Sequence, residues 1–270
     1  MLTALFAIPI AVGVYLSTRS DKIGSFVPGA GVGLDNFRRD VFDRTFIEAL
    51  ITTIVIMVIG LCIQFPIGVG LAVLLNRNLR GSRLFRTALL LPMLLTPVAV
   101  GLMWRFMLDT DLGVVNWLLE SLGLSRIGWL GEKWAARFSI AIVDSWQAVP
   151  FIMLMALAAL SSLPEGPHEA ARVDGATNWR VFRHVTLPML RPVLYITLMI
   201  RVVDSLKLFD TVFILTRGGP GTATQTVGLL TYNVGFNFLQ TGRAAALGAA
   251  VAVITLPVYA FWLRAQRASQ

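Results

Sequence analysis

Residues 169–188 read EAARVDGATNWRVFRHVTLP. This stretch is polar and basic, carries a glycine near its centre, and lies between long apolar runs on either side. A hydrophilic helical segment framed in this way is where a chain leaves a bilayer, does something at its surface, and returns. Pro164 and Pro167 stop the preceding run and start a new helix, because proline is accepted in a first turn but not in a helix interior. Glu165 and Glu169 place negative charge at that helix's N-terminus, where the backbone dipole favours it. Ala170, Ala171 and Val173 form a small face, and Gly175 permits a sharp change of direction. Beyond it Trp179, Phe182 and Val185 recur every three residues, which predicts an apolar stripe on a second short helix, with Arg180, Arg183 and His184 off that stripe. Pro188 ends it and Pro192 opens the next run. On these grounds alone the segment fits two roles: a docking element for a protein partner, or an amphipathic loop lying on lipid headgroups.

The rest of the chain sets the class. Of 270 residues, 56% are hydrophobic and only 14% charged, against about a quarter charged in a soluble domain. The apolar residues are blocked into runs long enough to cross a ~30 Å hydrocarbon core. Six such runs are expected to span, at about 2–17, 46–75, 84–108, 138–160, 193–215 and 244–263, in a single domain over 1–270 with the loop 164–192 on the cytoplasmic side. They must be helical, because lipid offers an open backbone no hydrogen-bond partner. Pro66, Pro92, Pro97, Pro150 and Pro257 fall in or near these runs and predict kinks. The first run has no basic lead-in and no small-residue cleavage signature, so it reads as a first span rather than a signal peptide.

Charge orients the chain only weakly. With both termini cytoplasmic, basic residues divide evenly between inside and outside loops. The densest cluster, four arginines over Arg77–Arg86, places its loop inside. The net charge of +8 belongs to these loops and does not call for nucleic acid. One cysteine, Cys62, excludes an intrachain disulfide framework, and two histidines, His168 and His184, offer no metal site. There is no phosphate-binding G-x-x-x-x-G-K-[ST] loop, no G-x-S-x-G and no HExxH, so no catalytic set is legible. Arg217–Gly221, RGGPG, reads as a tight turn and not as a phosphate cradle.

With class and loop in hand, residues 169–188 resemble the EAA signature of binding-protein-dependent importers of the ATP-binding cassette superfamily. That signature is EAA, three residues, Gly, nine residues, an aliphatic residue, any residue, then Leu-Pro. Here it is Glu169, Ala170, Ala171, Gly175, Val185, Leu187 and Pro188, every spacing kept. VGLDNFRR from Val32, RTALLLPMLLTPVAVGLMWRFM from Arg86, DLGVVNWLL from Asp111 and LTRGGPGTATQT from Leu215 are similar to carbohydrate-importer permeases of the maltose and glycerol-phosphate type, nearest the larger maltose permease subunit. The likeness runs over nearly the whole chain. Relatives carry a basic segment before the first span that this sequence does not show.

The resemblance implies an all-α, six-span type I importer permease with a cytoplasmic coupling helix, in the cytoplasmic membrane of a bacterium or archaeon. It implies a second homologous permease, two ATPase subunits, an extracytoplasmic solute-binding protein and a carbohydrate solute. ATP and Mg would sit on the partner ATPases, with no cofactor on this chain. Glu169 would pair with a basic group on the ATPase, Gly175 would supply the bend, and Ala170, Ala171, Asp174, Leu187 and Pro188 would complete the coupling segment. A stand-alone channel or a secondary transporter is the alternative, but the two halves show no internal repeat. A membrane enzyme would need a catalytic set that is absent.

Ionisable residues inside spans mark pathways or partner contacts. Asp144, Trp146 and Gln147 lie in the fourth run, and Arg201, Asp204, Ser205, Lys207 and Asp210 in the fifth. Arg201, Asp204 and Ser205 are spaced to share a helical face, and Lys207 is three residues from both Asp204 and Asp210, close enough to neutralise either. These charges either pair with one another and with a partner subunit, or line a solute pathway. By resemblance, Asp144, Gln147, Arg201, Asp204 and Ser205 fall at or beside the positions lining the sugar cavity, Trp146 would stack on a pyranose, and Thr96, beside Pro97, is a further candidate. A disaccharide, a polyol, a monosaccharide and a glycerol-phosphate-like solute all remain open.

Overall fold

The computed structural model describes residues 2–23, 29–76 and 81–267. Among these the chain is helical apart from one isolated antiparallel bridge, Arg19 to Gly31. In chain order the helices are α1 (Leu2–Ser17), α2 (Asp35–Asp40), α3 (Arg44–Leu75), α4 (Ser82–Leu94), α5 (Pro97–Met107), α6 (Val114–Ser121) and α7 (Lys133–Ser161). Then come α8 (Gly166–Val173), α9 (Asn178–Val181), α10 (Leu187–Leu206), α11 (Asp210–Leu215), α12 (Val227–Tyr232) and α13 (Thr241–Arg267). Wider π turns, Phe182–Thr186 and Asn233–Asn237, lead into α10 and out of α12.

The centre of the molecule is the α3–α7 pair, packed along most of their length. The cause is a stripe of small residues. On α3 the buried positions Ala49, Thr53, Ile56, Gly60, Gln64, Gly68, Ala72 and Leu75 recur every three or four residues. On α7 the facing positions are Ala141, Ser145, Ala148, Ile152, Ala156 and Ala159. Small residues let two backbones approach, which is how apolar helices bind one another where lipid removes the hydrophobic driving force. A Cβ at Gly68 would lie 2.7 Å from the Ile152 side chain. The opposite face of α3 carries Ile47, Ile51, Ile54 and Val58, all exposed, at the same helical spacing. Large apolar side chains outside and small ones inside is the inverse of a soluble helix, and it fits a lipid-facing surface.

Three helical segments, Arg44–Leu75, Lys133–Ser161 and Asn178–Leu206, are each long and apolar enough to cross a membrane. α4 and α5 reach that length only together, bent by 96° at their junction. Ala7–Ser17 and Thr241–Pro257 are apolar but shorter. The apolar run 84–108, expected as one helix, is thus two. The residue before Pro97 is driven out of the helical region, and Leu95 (ψ 145°) and Thr96 (ψ 140°) are extended. Pro66, Pro150 and Pro257 lie within helices that continue through them.

The run 193–215 is also divided, at residues 207–209. α10 closes with tight bonds from the Lys207 and Leu208 amides to the Asp204 and Ser205 carbonyls. The freed Leu208 carbonyl accepts from Thr226 Oγ1 at 2.8 Å, and Gly228 leaves room for that approach. RGGPG is a turn, with Arg217, Gly218 and Gly221 at positive φ. Buried Arg137 ties this loop down by donating to Ala223 O (2.8 Å) and Thr52 Oγ1 (3.0 Å). In the basic cluster that orients the chain, Arg77 and Arg80 lie outside the described residues.

Candidate functional site

Two polar regions stand out, one along the helix bundle and one at its end. The first is a cleft of ≈ 470 Å³ between α5, α7, α10 and α11, with Asp144, Gln147, Arg201, Asp204, Lys207 and Asp210 on its wall. Its floor is a network joining three helices. Arg201 Nη2 donates to Asp144 Oδ2 at 2.7 Å, and Arg201 Nε donates to Gln64 Oε1 at 3.1 Å. Gln64 Nε2 in turn donates to the same Asp144 oxygen at 2.8 Å. Gln64 is fully buried and Arg201 only 8% exposed. Gly60 makes the space, since a Cβ there would lie 3.1 Å from Gln64 Nε2.

Asp204 is different. Its side chain is 55% exposed and meets Arg201 Nη1 only at 3.9 Å. Lys207 and Asp210 are exposed and make no ion pair among the described residues. Lys207 therefore does not neutralise Asp204 or Asp210, although the spacing allowed it. Gln147 Nε2 reaches across the cleft wall to the Leu95 carbonyl at 2.9 Å, supplying the extended corner between α4 and α5 with a donor.

Three expected pathway residues are placed otherwise. Trp146 faces away from the cleft. It packs edge-on against Trp104 (centroids 6.0 Å apart) beside an apolar hollow lined by Ile63, Ile67, Leu89 and Met153. Two residues from Asp144 along a helix is about 200° around it, so the two side chains cannot share a wall. Ser205 is buried, 3% exposed, and points into the bundle rather than the cleft. Thr96 is exposed at the start of α5, next to cleft-lining Pro97 but not itself on the wall. The aromatic rings on the wall are Phe151 and Phe209, and Phe209 belongs to a ladder with Phe213, Tyr232 and Phe236. Gln64 was not among the expected residues. The one available signal was an amide on the small-residue stripe of an apolar run.

The second region is the loop from Pro164 to Thr186. α8 has no buried residue, and Glu169, Ala170, Val173 and Asp174 are all exposed. Gly175 follows at φ 73°, a left-handed conformation that a side chain disfavours, and its amide bonds back to the Arg172 carbonyl. α8 is tied to the start of α10 through His168. Its Nδ1 lies 3.3 Å from the Pro164 carbonyl oxygen and its Nε2 lies 3.1 Å from Thr186 Oγ1. Glu165, His168, Glu169 and Arg172 border a cleft of ≈ 690 Å³ against the ends of α3 and α7. Glu169 has no ion-pair partner among the described residues. Val181 and Thr186 are buried while Trp179 is 66% exposed. The expected stripe of Trp179, Phe182 and Val185 is thus only half-buried. Leu187 and Pro188 form the half-buried first turn of α10.

Fold and site together define a helical membrane protein built around a polar cleft, with an exposed two-helix loop at one end. Residues 64–268 match the binding-protein-dependent transport system inner membrane component family, and the chain belongs to that family. It is 33% identical over 261 residues to the trehalose/maltose transport system permease protein MalF of Thermococcus litoralis, covering 96% of this chain and 88% of that one. Among solved structures it resembles a bacterial ABC transporter that imports the acidic polysaccharide alginate, with a TM-score of 0.83 and 25% identity over 98% of this chain and 90% of the other. A bacterial alginate ABC transporter in complex with an alginate pentasaccharide-bound periplasmic protein matches with a TM-score of 0.81 and 25% identity, over 97% of this chain and 88% of the other.

Proposed function

We propose that this chain is one of two permease subunits of an ATP-driven importer that carries a carbohydrate across the cytoplasmic membrane. A solute-binding protein delivers the cargo, and two separate ATPase subunits supply the work. The carbohydrate class follows from the trehalose/maltose and alginate cargoes named for its relatives. In this reading the six apolar segments span, both termini are cytoplasmic, and ATP and Mg are held by the ATPases and not by this chain.

One observation carries the coupling assignment. α8 is a helix with no buried residue, with Pro167 in its first turn and Gly175 just past its end, and its Glu169 carboxylate has no ion-pair partner among the described residues. A short helix exposed on nearly every side gains little by folding alone and makes sense as one half of an interface. Glu169 there meets a cation of the ATPase, and Ala170, Ala171 and Asp174 give the close surface around it. Solute passes along the cleft bearing Asp204, Lys207 and Asp210.

The test is Glu169→Lys in the assembled importer. Like charges at a partly desolvated contact cost about 2–5 kcal/mol. The permease is expected in the membrane at normal abundance, with little ATPase subunit co-purifying and transport-coupled ATP hydrolysis lost. Wild-type co-purification and hydrolysis would remove the coupling role from this loop.

A further inference from the structure

The cleft's charges are not equally free, and this bears on which carbohydrate it admits. The guanidinium of Arg201 is the group best suited to clamp a carboxylate or phosphate of an anionic sugar. Most of it is already committed. Two of its nitrogens are spent on Asp144 and Gln64, and the side chain is 10% exposed. Gln64 completes the triangle by donating to the same Asp144 oxygen. The third nitrogen of Arg201, Nη1, makes no hydrogen bond among the described residues and lies 3.9 Å from the exposed Asp204 carboxylate, so an anion approaching there meets that carboxylate, and drawing Nε or Nη2 away would leave a carboxylate and an amide unpaired.

What faces the cleft once that pair is set aside is Asp204, Lys207 and Asp210. Counted over the whole wall, three carboxylates oppose two cations, one unit of net negative charge. A cleft with low-dielectric walls focuses such a charge and repels anions over its full width. The same groups suit hydroxyls. A carboxylate only accepts, an ammonium only donates, and a sugar hydroxyl does both. Phe151 and Phe209 give the apolar C–H face of a pyranose something to lie on.

Resting on the carbohydrate-importer reading above, we propose that the cleft of this chain selects an uncharged saccharide or polyol and disfavours uronates and sugar phosphates, with Gln64 as the positioning residue that keeps Arg201 out of anion binding.

The charge of the cleft is measurable without knowing the solute. In a Cys62→Ser background, Leu208→Cys and, separately, Phe151→Cys each place one thiol on the wall. Their rates of modification by a trimethylammonium and a sulfonate methanethiosulfonate reagent are compared, each normalised to its rate with a free thiol. The cationic reagent is expected to lead by about tenfold. Equal rates, or a faster sulfonate, overturn the proposal. Replacing Gln64 by Met, of similar length but without the amide, is expected to narrow that lead at normal membrane abundance, because the guanidinium is then held by Asp144 alone. An unchanged lead removes Gln64 from the account.

The second arm is uptake by the assembled importer in proteoliposomes. Trehalose, maltose and glycerol are run against glucuronic acid, an alginate trisaccharide and glycerol 3-phosphate. Uptake confined to uncharged members supports the proposal. Uptake of an anionic member at equal or higher rate overturns it and leaves the carbohydrate-importer reading standing. No saccharide or polyol uptake by an importer that is otherwise active, with an amino acid carried instead, removes that reading and this one together.

Discussion

The seam where α3, α7 and α10 meet and the loop that begins with α8 are both rich in charged and polar side chains, yet they use them in opposite ways. In the seam Gln64, Asp144 and Arg201 each bond the other two. In the loop Glu169 is answered by nothing described, and α8 buries no residue. A closed network stabilises the chain that contains it, and an open one leaves its charge to solvent or to a partner. Burial does not separate the two functions by itself; the count of satisfied partners does.

The sharpest way to break this contrast is Arg201→Met. It leaves the part-buried Asp144 carboxylate without its cation and held by Gln64 alone, a cost of about 3 kcal/mol. Membrane abundance is expected to fall several-fold, and Arg201→Met with Asp144→Leu is expected to recover it. If the single change leaves abundance intact, the seam is as open as the loop and the contrast fails. Next in size is Gly68→Val. Its new Cβ meets Ile152 at 2.7 Å, against backbone-bearing side-chain atoms that cannot swing away. A loss of about 1–3 kcal/mol follows from overpacking, read as a lower unfolding temperature in detergent. The smallest effect belongs to the loop. Gly175→Ala forces a side chain into φ 73° with no neighbour within 4 Å, so only the backbone term of about 1–2 kcal/mol applies. The change is expected to weaken ATPase co-purification while leaving the unfolding temperature of the bundle unmoved, and a matching fall in that temperature would mean the loop is part of the core.

The long helices were legible because their apolar runs are unbroken, and α3 and α7 occupy the stretches from which they were expected. The interruptions were less so. Pro92 and Pro97 announce a kink, but not a 96° corner, because the angle depends on what α7 offers the freed backbone. The division after Leu206 has no proline or glycine to announce it; Thr226 and Gly228, some twenty residues on, make it stable. Asp144, Arg201 and Asp204 could be picked out because ionisable groups in apolar runs are costly. Gln64 escaped the same filter because it carries no charge, although its place between Gly60 and Gly68 put it on the packing face. Trp146 could have been excluded by helical geometry alone, being two residues from Asp144. Glu169, Gly175 and their neighbours were singled out by their fixed spacing, and in the structure the helix that carries Glu169 buries no residue.

The bond from Gln147 to the Leu95 carbonyl has a consequence for wetting. At the corner between α4 and α5 the backbone has left its helix, and in a low-dielectric setting a bare carbonyl costs on the order of 1–3 kcal/mol. So long as α7 stays close, Gln147 supplies that carbonyl with a donor. Any movement that draws α7 away uncovers the carbonyl and the amide together, one acceptor and one donor facing the same opening. Water, or another polar group, then has to replace the lost partner, so widening the cleft at this point favours its hydration.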